Sequence, residues 1–130
     1  MDNQDKIAHL GFIQGVINRM GNNSFLVKSW SVTLLAALFA ALSNENNLYI
    51  LFLPLIIFWI LDAYFLHQER LYRKLYEKVA LGLETSEQFS MNACKYQSEV
   101  ATLQCIAFSK TLFGFYGTLS LITHLLICVN

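Results

Sequence analysis

Charged side chains are scarce in this sequence, and the scarcity is localised. Only 14% of the 130 residues are Asp, Glu, Lys or Arg, whereas an ordinary soluble domain has about 25%. Three stretches are almost free of charge, and the charged residues lie in the segments between them. We therefore expect one domain, or one membrane module with a short soluble part.

An excess of one charge sign and a cysteine pattern are also missing. Nine basic residues balance nine acidic ones, so no global basic field indicates nucleic acid binding. Cys94, Cys105 and Cys128 are odd in number and share no short spacing, which argues against a disulfide framework and a zinc site. We interpret them as small apolar side chains.

Catalytic motifs are missing as well. The three histidines have no metal-ligand spacing among themselves or with the carboxylates. The sequence has no nucleophile–base pattern, glycine-rich phosphate loop or redox motif. The acidic N-terminus and the late start of the first apolar run argue against a cleavable signal peptide. We expect no enzyme, no cofactor and no metal.

Residues 1–24 predict an amphipathic helix that lies in the cytoplasm or at the membrane interface. Apolar residues recur there at three- and four-residue steps between positions 6 and 20. Gly11 and Gly15 interrupt the helix, and each costs about 1 kcal/mol relative to alanine. Residues 21–24, with sequence GNNS, predict a break and a cap for the next helix.

Residues 25–66 predict a transmembrane hairpin. The charge-free run at 29–42 is short, and adding 25–28, with Lys28 snorkelling to the interface, brings it close to the roughly 20 residues of a span. Residues 43–47 form a polar turn, and 48–66 supply a second span that accommodates Pro54. A buried hairpin of a soluble protein is excluded, because 130 residues cannot cover two such helices.

The remainder of the chain predicts a cytoplasmic helical region at 67–110 and a third transmembrane helix at 111–130. We expect the second span to continue as a helix to Leu81 and to end at Gly82, and the sequence predicts a loop with a capping box at 85–88. Residues 90–110 have no clean period, and we expect them to be mostly helical. The predicted cytoplasmic contact helix comprises Arg70, Leu71, Arg73, Lys74, Leu75 and Val79.

The distribution of Lys and Arg predicts the orientation. Arg19 and Lys28 precede the first span, four basic residues between 70 and 78 follow the second, and the turn has none. The third span has only Asn130 beyond it. We expect an all-α integral membrane protein with a cytoplasmic N-terminus and an external C-terminus.

Asp62 is the most informative single residue, since a carboxylate within a membrane helix is costly and marks a function or a partner. A hairpin folded about the 43–47 turn pairs positions whose numbers sum to roughly 90, so Lys28 opposes Asp62. One interpretation is an ion pair that holds the hairpin together near the cytoplasmic interface. The other is a carboxylate that lines a pore or a cavity between subunits.

Small residues at helical spacing indicate close helix–helix contacts, here in a homo-oligomer. One set lies in the first span and the other on one face of the third. Proton relay by the histidine of the second set is the alternative interpretation. The residues are Ala36, Ala40, Gly114, Gly117, Ser120 and His124.

Several segments together resemble a known family. They are residues 9–20 (HLGFIQGVINRM), 22–25 (NNSF), 28–30 (KSW), 58–64 (FWILDAY), 68–76 (QERLYRKLY), 89–91 (FSM) and 115–117 (FYG). In these segments, and in the order of amphipathic helix, hairpin and cytoplasmic helix, the chain resembles the SLATT-type membrane effectors of bacterial conflict systems. The third span departs from a simple two-span layout.

The resemblance implies an oligomeric effector of antiphage defence that permeabilises or depolarises the bacterial inner membrane when a partner is triggered. A monomer with three spans cannot enclose a pore, so conduction would require a ring of subunits. The implied partners are the lipid bilayer, further copies of the chain, and a soluble sensor or enzyme of a defence operon. The competing interpretation is a non-conducting anchor or accessory subunit for a soluble defence enzyme.

Overall fold

The computed structural model describes residues 3–83 and 89–130, and the regular structure in these ranges is helical. Within the described residues, four α-helices and two short 3₁₀ segments follow one another. They are α1 (Asn3–Leu42), a 3₁₀ segment (Leu48–Leu51), α2 (Phe52–Ala80), a second 3₁₀ segment (Cys94–Glu99), α3 (Leu103–Ala107) and α4 (Lys110–Val129).

Helix α1 is continuous over 40 residues, so it is about 60 Å long. The helix break predicted at residues 21–24 is wrong. Contacts with α2 explain the continuity: a Cβ at Gly21 would lie 3.8 Å from Glu69 Oε1, and the Ser24 hydroxyl donates to Asp62 instead of capping a helix. This packing outweighs the roughly 1 kcal/mol that a helical glycine costs.

Helix α2 confirms the prediction that the second apolar run and the charged segment after it form one helix. Pro54 is the third residue of α2, where its missing N–H would have had no intrahelical partner. Gly82 has a φ of +77°. Its N–H donates to Val79 O at 3.1 Å and that of Leu83 donates to Lys78 O at 2.9 Å. This is the Schellman arrangement that ends helices at glycine.

Helices α1 and α2 form an antiparallel hairpin about the polar turn at residues 43–47, and α4 packs antiparallel to α2. The Asn130 Nδ2 donates to Ser43 O at 2.7 Å, which places the C-terminus beside the hairpin turn. At the other end of α4, Trp59 Nε1 donates to Ala107 O at 2.7 Å.

Residues 90–110 contain helical structure, but in short pieces. The second 3₁₀ segment, the five-residue α3 and Lys110, the first residue of α4, are regular there, and the rest is irregular, because this part of the sequence has no sustained apolar period. The Thr102 hydroxyl accepts from Cys105 N at 3.3 Å and caps α3. The capping box predicted at 85–88 lies outside the described residues.

Two apolar cores divide the chain into two parts. The first part, which we call the stalk, comprises residues 3–23, 67–83 and 89–100. Its core consists of Ile13, Ile17, Leu71, Leu75, Val79, Ala93 and Tyr96. The second part, the apolar bundle, comprises residues 24–42, 48–66 and 103–129. Its core consists of Leu35, Leu51, Leu55, Ala63, Ile106, Leu112 and Tyr116.

Three helical stretches of the described chain are long and apolar enough to cross a membrane. They are Asn3–Leu42, Leu48–Ala80 and Lys110–Val129, and the best window of each has a mean hydropathy of 1.8, 2.1 and 1.8, respectively. The expectation of a helical chain with three apolar stretches of spanning length is thereby confirmed.

Candidate functional site: a buried polar cluster between three helices

A cluster of polar side chains joins all three long helices inside the apolar bundle. Ser24 and Lys28 come from α1, Asp62 from α2 and Tyr116 from α4. Asp62 and Tyr116 have no exposed surface, and Ser24 is 4% exposed. We call these four residues the polar cluster.

Asp62 accepts from every other member of the polar cluster. Its Oδ2 lies 2.6 Å from Lys28 Nζ and 3.0 Å from the Tyr116 hydroxyl, and its Oδ1 accepts from the Ser24 hydroxyl. Lys28 Nζ also donates to Ser24 Oγ at 2.9 Å. A buried carboxylate is tolerated only when it is paired and hydrogen-bonded, and Asp62 meets both conditions.

The spacing of α1 explains how its two members reach the same carboxylate. Ser24 and Lys28 are four residues apart and therefore lie one above the other on one helix face. The next residue of this face, Ser31, is fully buried and donates to the Lys28 carbonyl at 2.7 Å. The Lys28 side chain keeps 19% of its surface exposed, so it is not fully enclosed by the protomer.

The polar cluster lies closer to the stalk than to the hairpin turn. Tyr116 follows Lys110, the first residue of α4, by six residues, which corresponds to about 9 Å along the helix. Asp62 follows Leu48 by fourteen residues, or about 21 Å. The cluster is therefore about one and a half helical turns from the polar end of α4.

The structure brings together Lys28 and Asp62, which the sequence places opposite each other in the hairpin. In the protomer the Asp62 carboxylate is enclosed by the three helices and does not face outward. Sequence analysis missed Ser24 and Tyr116. Ser24 could have been found from its four-residue spacing to Lys28. Tyr116 offered only a weaker signal, since a tyrosine in an apolar helix needs a partner for its hydroxyl.

The small residues proposed for helix contacts lie on the surface of the protomer, and Ala36 and Gly114 line grooves between α1 and α4. Ala36, Ala40 and Gly114 are exposed and Gly117 is half-buried. A Cβ at Gly114 or Gly117 would meet no atom within 4 Å. Both small-residue faces are therefore open on the outside of the apolar bundle.

The last two residues of the α4 set lie away from the polar cluster. Ser120 donates to Tyr116 O at 2.7 Å within its own helix. His124 is exposed, its ring centroid is 6.2 Å from that of Tyr49, and its Nε2 is 3.7 Å from Cys128 Sγ. His124 therefore lies near the hairpin-turn end, at the opposite end of α4 from Asp62.

The predicted contact helix divides into two faces. Leu71, Leu75 and Val79 are fully buried and make their contacts within the stalk core, because residues 89–100 fold across them. The charged residues lie outside this core: Arg70 and Arg73 are exposed, Arg73 pairs with Glu69 at 2.7 Å, Lys74 with Glu77 at 3.1 Å, and Lys78 with Glu99 at 3.1 Å.

Within the described residues, no three metal-binding side chains lie close enough together to hold an ion. A scan against protein-family models and searches of curated proteins and of solved structures find no match to the chain.

Proposed function

We propose that the chain is an oligomeric effector of the bacterial inner membrane that permeabilises or depolarises the membrane when a partner acts on its stalk. The resemblance to SLATT-type effectors suggests antiphage defence as the setting. The observation that carries the proposal is the continuity of α1 and α2, which run without a break from the stalk into the apolar bundle. A force on the stalk is therefore transmitted to the helices that would cross the bilayer.

In this proposal the three apolar stretches insert into the membrane, with the stalk in the cytoplasm and Asn130 outside. The Lys and Arg distribution supports this orientation. The proximity of Asn130 to the hairpin turn agrees with it, since both would then lie on the external side.

The sparse burial of the apolar bundle supports insertion and assembly. In the most apolar windows of the three candidate spans, only 17%, 28% and 17% of the residues are buried inside the protomer. The other side chains need lipid or further subunits around them. The open faces at Ala36 and Ala40, and at Gly114 and Gly117, would let a neighbouring helix approach closely.

Conduction would occur between subunits in this mechanism. Three helices packed on a shared core leave no room for an aqueous path through one protomer, and Asp62 is closed off by its partners. Polar surface would reach a pore only if the helices of neighbouring protomers rotate or separate. The polar cluster, which ties α1, α2 and α4 together, would then hold the resting state.

The second candidate function is a non-conducting anchor or accessory subunit for a soluble defence enzyme. The observation that favours it is an apolar surface at the tip of the stalk, where Ile7, Phe12, Leu81 and Leu83 are 69%, 58%, 65% and 68% exposed. A soluble partner could cover these side chains. The same surface would also serve a trigger protein, so conductance is the property that separates the two functions.

The proposed function can be tested by expressing the chain in bacteria and measuring membrane potential together with cross-linking in membranes. A high subunit density drives assembly by mass action even without the trigger. We expect cross-linked oligomers and depolarisation. Gly117→Leu should reduce both, since the protomer has no atom within 4 Å of a Cβ there and the added bulk would meet only a neighbouring subunit.

Ile57→Phe is the matched control. Ile57 is exposed and lies on α2, which carries none of the small residues proposed for assembly, so its added bulk should leave assembly intact. Oligomers without depolarisation, both in the native chain and in Asp62→Asn, which disrupts the polar cluster proposed to hold the resting state, would contradict the effector function and favour the anchor. A monomer that does not cross-link would contradict both the assembly and the conduction mechanism.

A further inference from the structure

An open apolar groove runs between α1 and α2 on the outside of the apolar bundle. Its volume is about 410 Å³, within the range of about 300–1,000 Å³ typical of ligand sites. Seven of its eight lining residues are apolar or aromatic, and the exception, Asn23, lies at the stalk end. The lining residues are Asn23, Leu26, Val27, Trp30, Leu34, Phe58, Leu61 and Phe65.

The cationic side chain of Arg19 lies on the stalk side of this groove. Arg19 precedes Asn23 by one helical turn and therefore lies on the same side of α1. It is exposed, and within the described part of the chain its guanidinium has no ion-pair or hydrogen-bond partner.

The depth of Arg19 fits a phospholipid head group. Lys28 is level with Asp62, about 9 Å inside the start of α4 as judged from Tyr116. Arg19 is nine residues before Lys28, or about 13 Å towards the stalk. Since Lys28 lies about 9 Å from the start of α4 on the bundle side, Arg19 lies about 4 Å beyond that start on the stalk side. Head groups occupy about 5–7 Å on each side of the hydrocarbon region, so Arg19 falls in that layer while the groove lies below it.

We propose that this groove binds one anionic phospholipid of the leaflet next to the stalk. An acyl chain lies along the apolar wall from Leu26 to Phe65, and the lipid phosphate is bound by the Arg19 guanidinium with the Asn23 amide as a second donor. A guanidinium matches two phosphate oxygens in its fork of N–H groups. The inference rests on the membrane insertion of the proposed function, but not on conduction.

The shape of the groove favours a lipid over a second copy of the chain. Close helix–helix contacts in membranes are enriched in small residues, whereas the large side chains of Trp30, Phe58 and Phe65 line this groove. These side chains would hold another helix backbone away. A flexible acyl chain can follow the uneven surface between them.

The experiment uses the groove's own tryptophan as the probe. Trp30 is 63% exposed and lines the groove, whereas the other tryptophan, Trp59, lies elsewhere and donates to Ala107 O. The full chain is reconstituted in phosphatidylcholine vesicles with a small fraction of brominated phosphatidylglycerol or, in parallel, of brominated phosphatidylcholine. The signal of Trp30 is the difference between the native chain and Trp30→Phe.

We expect brominated phosphatidylglycerol to quench Trp30 with an apparent affinity about fivefold above that of brominated phosphatidylcholine, as expected for one basic residue at an anionic head group. Arg19→Gln should remove most of this preference. Arg70→Gln is the matched control: Arg70 is also exposed, lies at nearly the same depth in the hairpin, and points about 140° away from Phe65 around α2. It should retain the preference.

Equal quenching by the two brominated lipids, or an undiminished preference in Arg19→Gln, would overturn the lipid site. So would a Trp30 that neither lipid quenches, since a second copy would then cover the groove. Each sample is first washed with alkaline carbonate. A chain that the wash removes would overturn membrane insertion and the site with it, whereas a retained chain without lipid preference would overturn the site alone.

Discussion

Replacement of Asp62 by asparagine removes the charge at the centre of the polar cluster while keeping the shape of the side chain. Loss of one partner of a buried ion pair costs about 3–5 kcal/mol, because the other charge is left buried. Two features of the structure reduce this cost: Lys28 is 19% exposed and keeps its bond to Ser24 Oγ at 2.9 Å. The asparagine oxygen also still accepts one hydrogen bond. We therefore expect Asp62→Asn to lower the free energy of unfolding by about 2–3 kcal/mol.

The measurement is denaturant or thermal unfolding of the purified protein in mild detergent. Tyr116→Phe serves as a control that removes a single hydrogen bond to Asp62, and it should cost about 1.5 kcal/mol. A double-mutant cycle of Lys28→Gln and Asp62→Asn should give a coupling energy above about 1 kcal/mol, as pairs in one network do.

Unchanged stability of Asp62→Asn together with altered depolarisation in cells would refute this reasoning. That result would mean that Asp62 lines a pore and does not hold the hairpin. A coupling energy below about 0.5 kcal/mol, the size found for independent sites, would equally show that Lys28 and Asp62 do not support each other.

Further changes probe the helix end, the α2–α4 contact and the orientation. Gly82→Ala should destabilise the fold by about 1 kcal/mol, because residue 82 has a positive φ. Gly114→Ala should stabilise the protomer by up to about 1 kcal/mol, because Gly114 lies within a helix and a Cβ there meets no other atom within 4 Å. Equal effects of the two substitutions in detergent unfolding would contradict this expectation. Trp59→Phe loses a 2.7 Å bond to a backbone carbonyl and should cost about 1 kcal/mol, which the same assay measures against the native chain. In intact spheroplasts, a membrane-impermeant maleimide should label the exposed Cys128 of a single-cysteine variant, and should label the exposed Cys94 only after permeabilisation; the reverse pattern would contradict the proposed topology.

Most features of α2 and α4 could be predicted from local sequence patterns. The apolar runs define their extent, Gly82 specifies the end of α2, and the polar turn fixes the register of the hairpin. That register was sufficient to place Lys28 opposite Asp62, because two antiparallel helices joined by a short turn have few alternative alignments.

The wrong prediction of a break at residues 21–24 and the failure to predict Tyr116 as a partner of Asp62 have physical causes that no local sequence pattern reveals. Residues 21–24 contain glycine and asparagine, which favour a break in isolation, but α2 lies alongside them and holds them helical. The partnership of Tyr116 with Asp62 depends on how residues 89–109 lead from the stalk back to the apolar bundle. This path is set by contacts of Ala93 and Tyr96 in the stalk core, which are distant in sequence.

The polar cluster also bears on how the chain would enter a bilayer during synthesis. An isolated α2 would present a bare carboxylate to lipid, at a cost of about 2.5–3.5 kcal/mol on insertion scales for a mid-membrane position and less near the interface. Lys28 on α1 is synthesised first and would neutralise it, so insertion of α1 and α2 as one hairpin would be favoured. Tyr116 emerges last, and its hydroxyl, 3.0 Å from Asp62 Oδ2 in the folded chain, would help α4 to pack on the inserted pair.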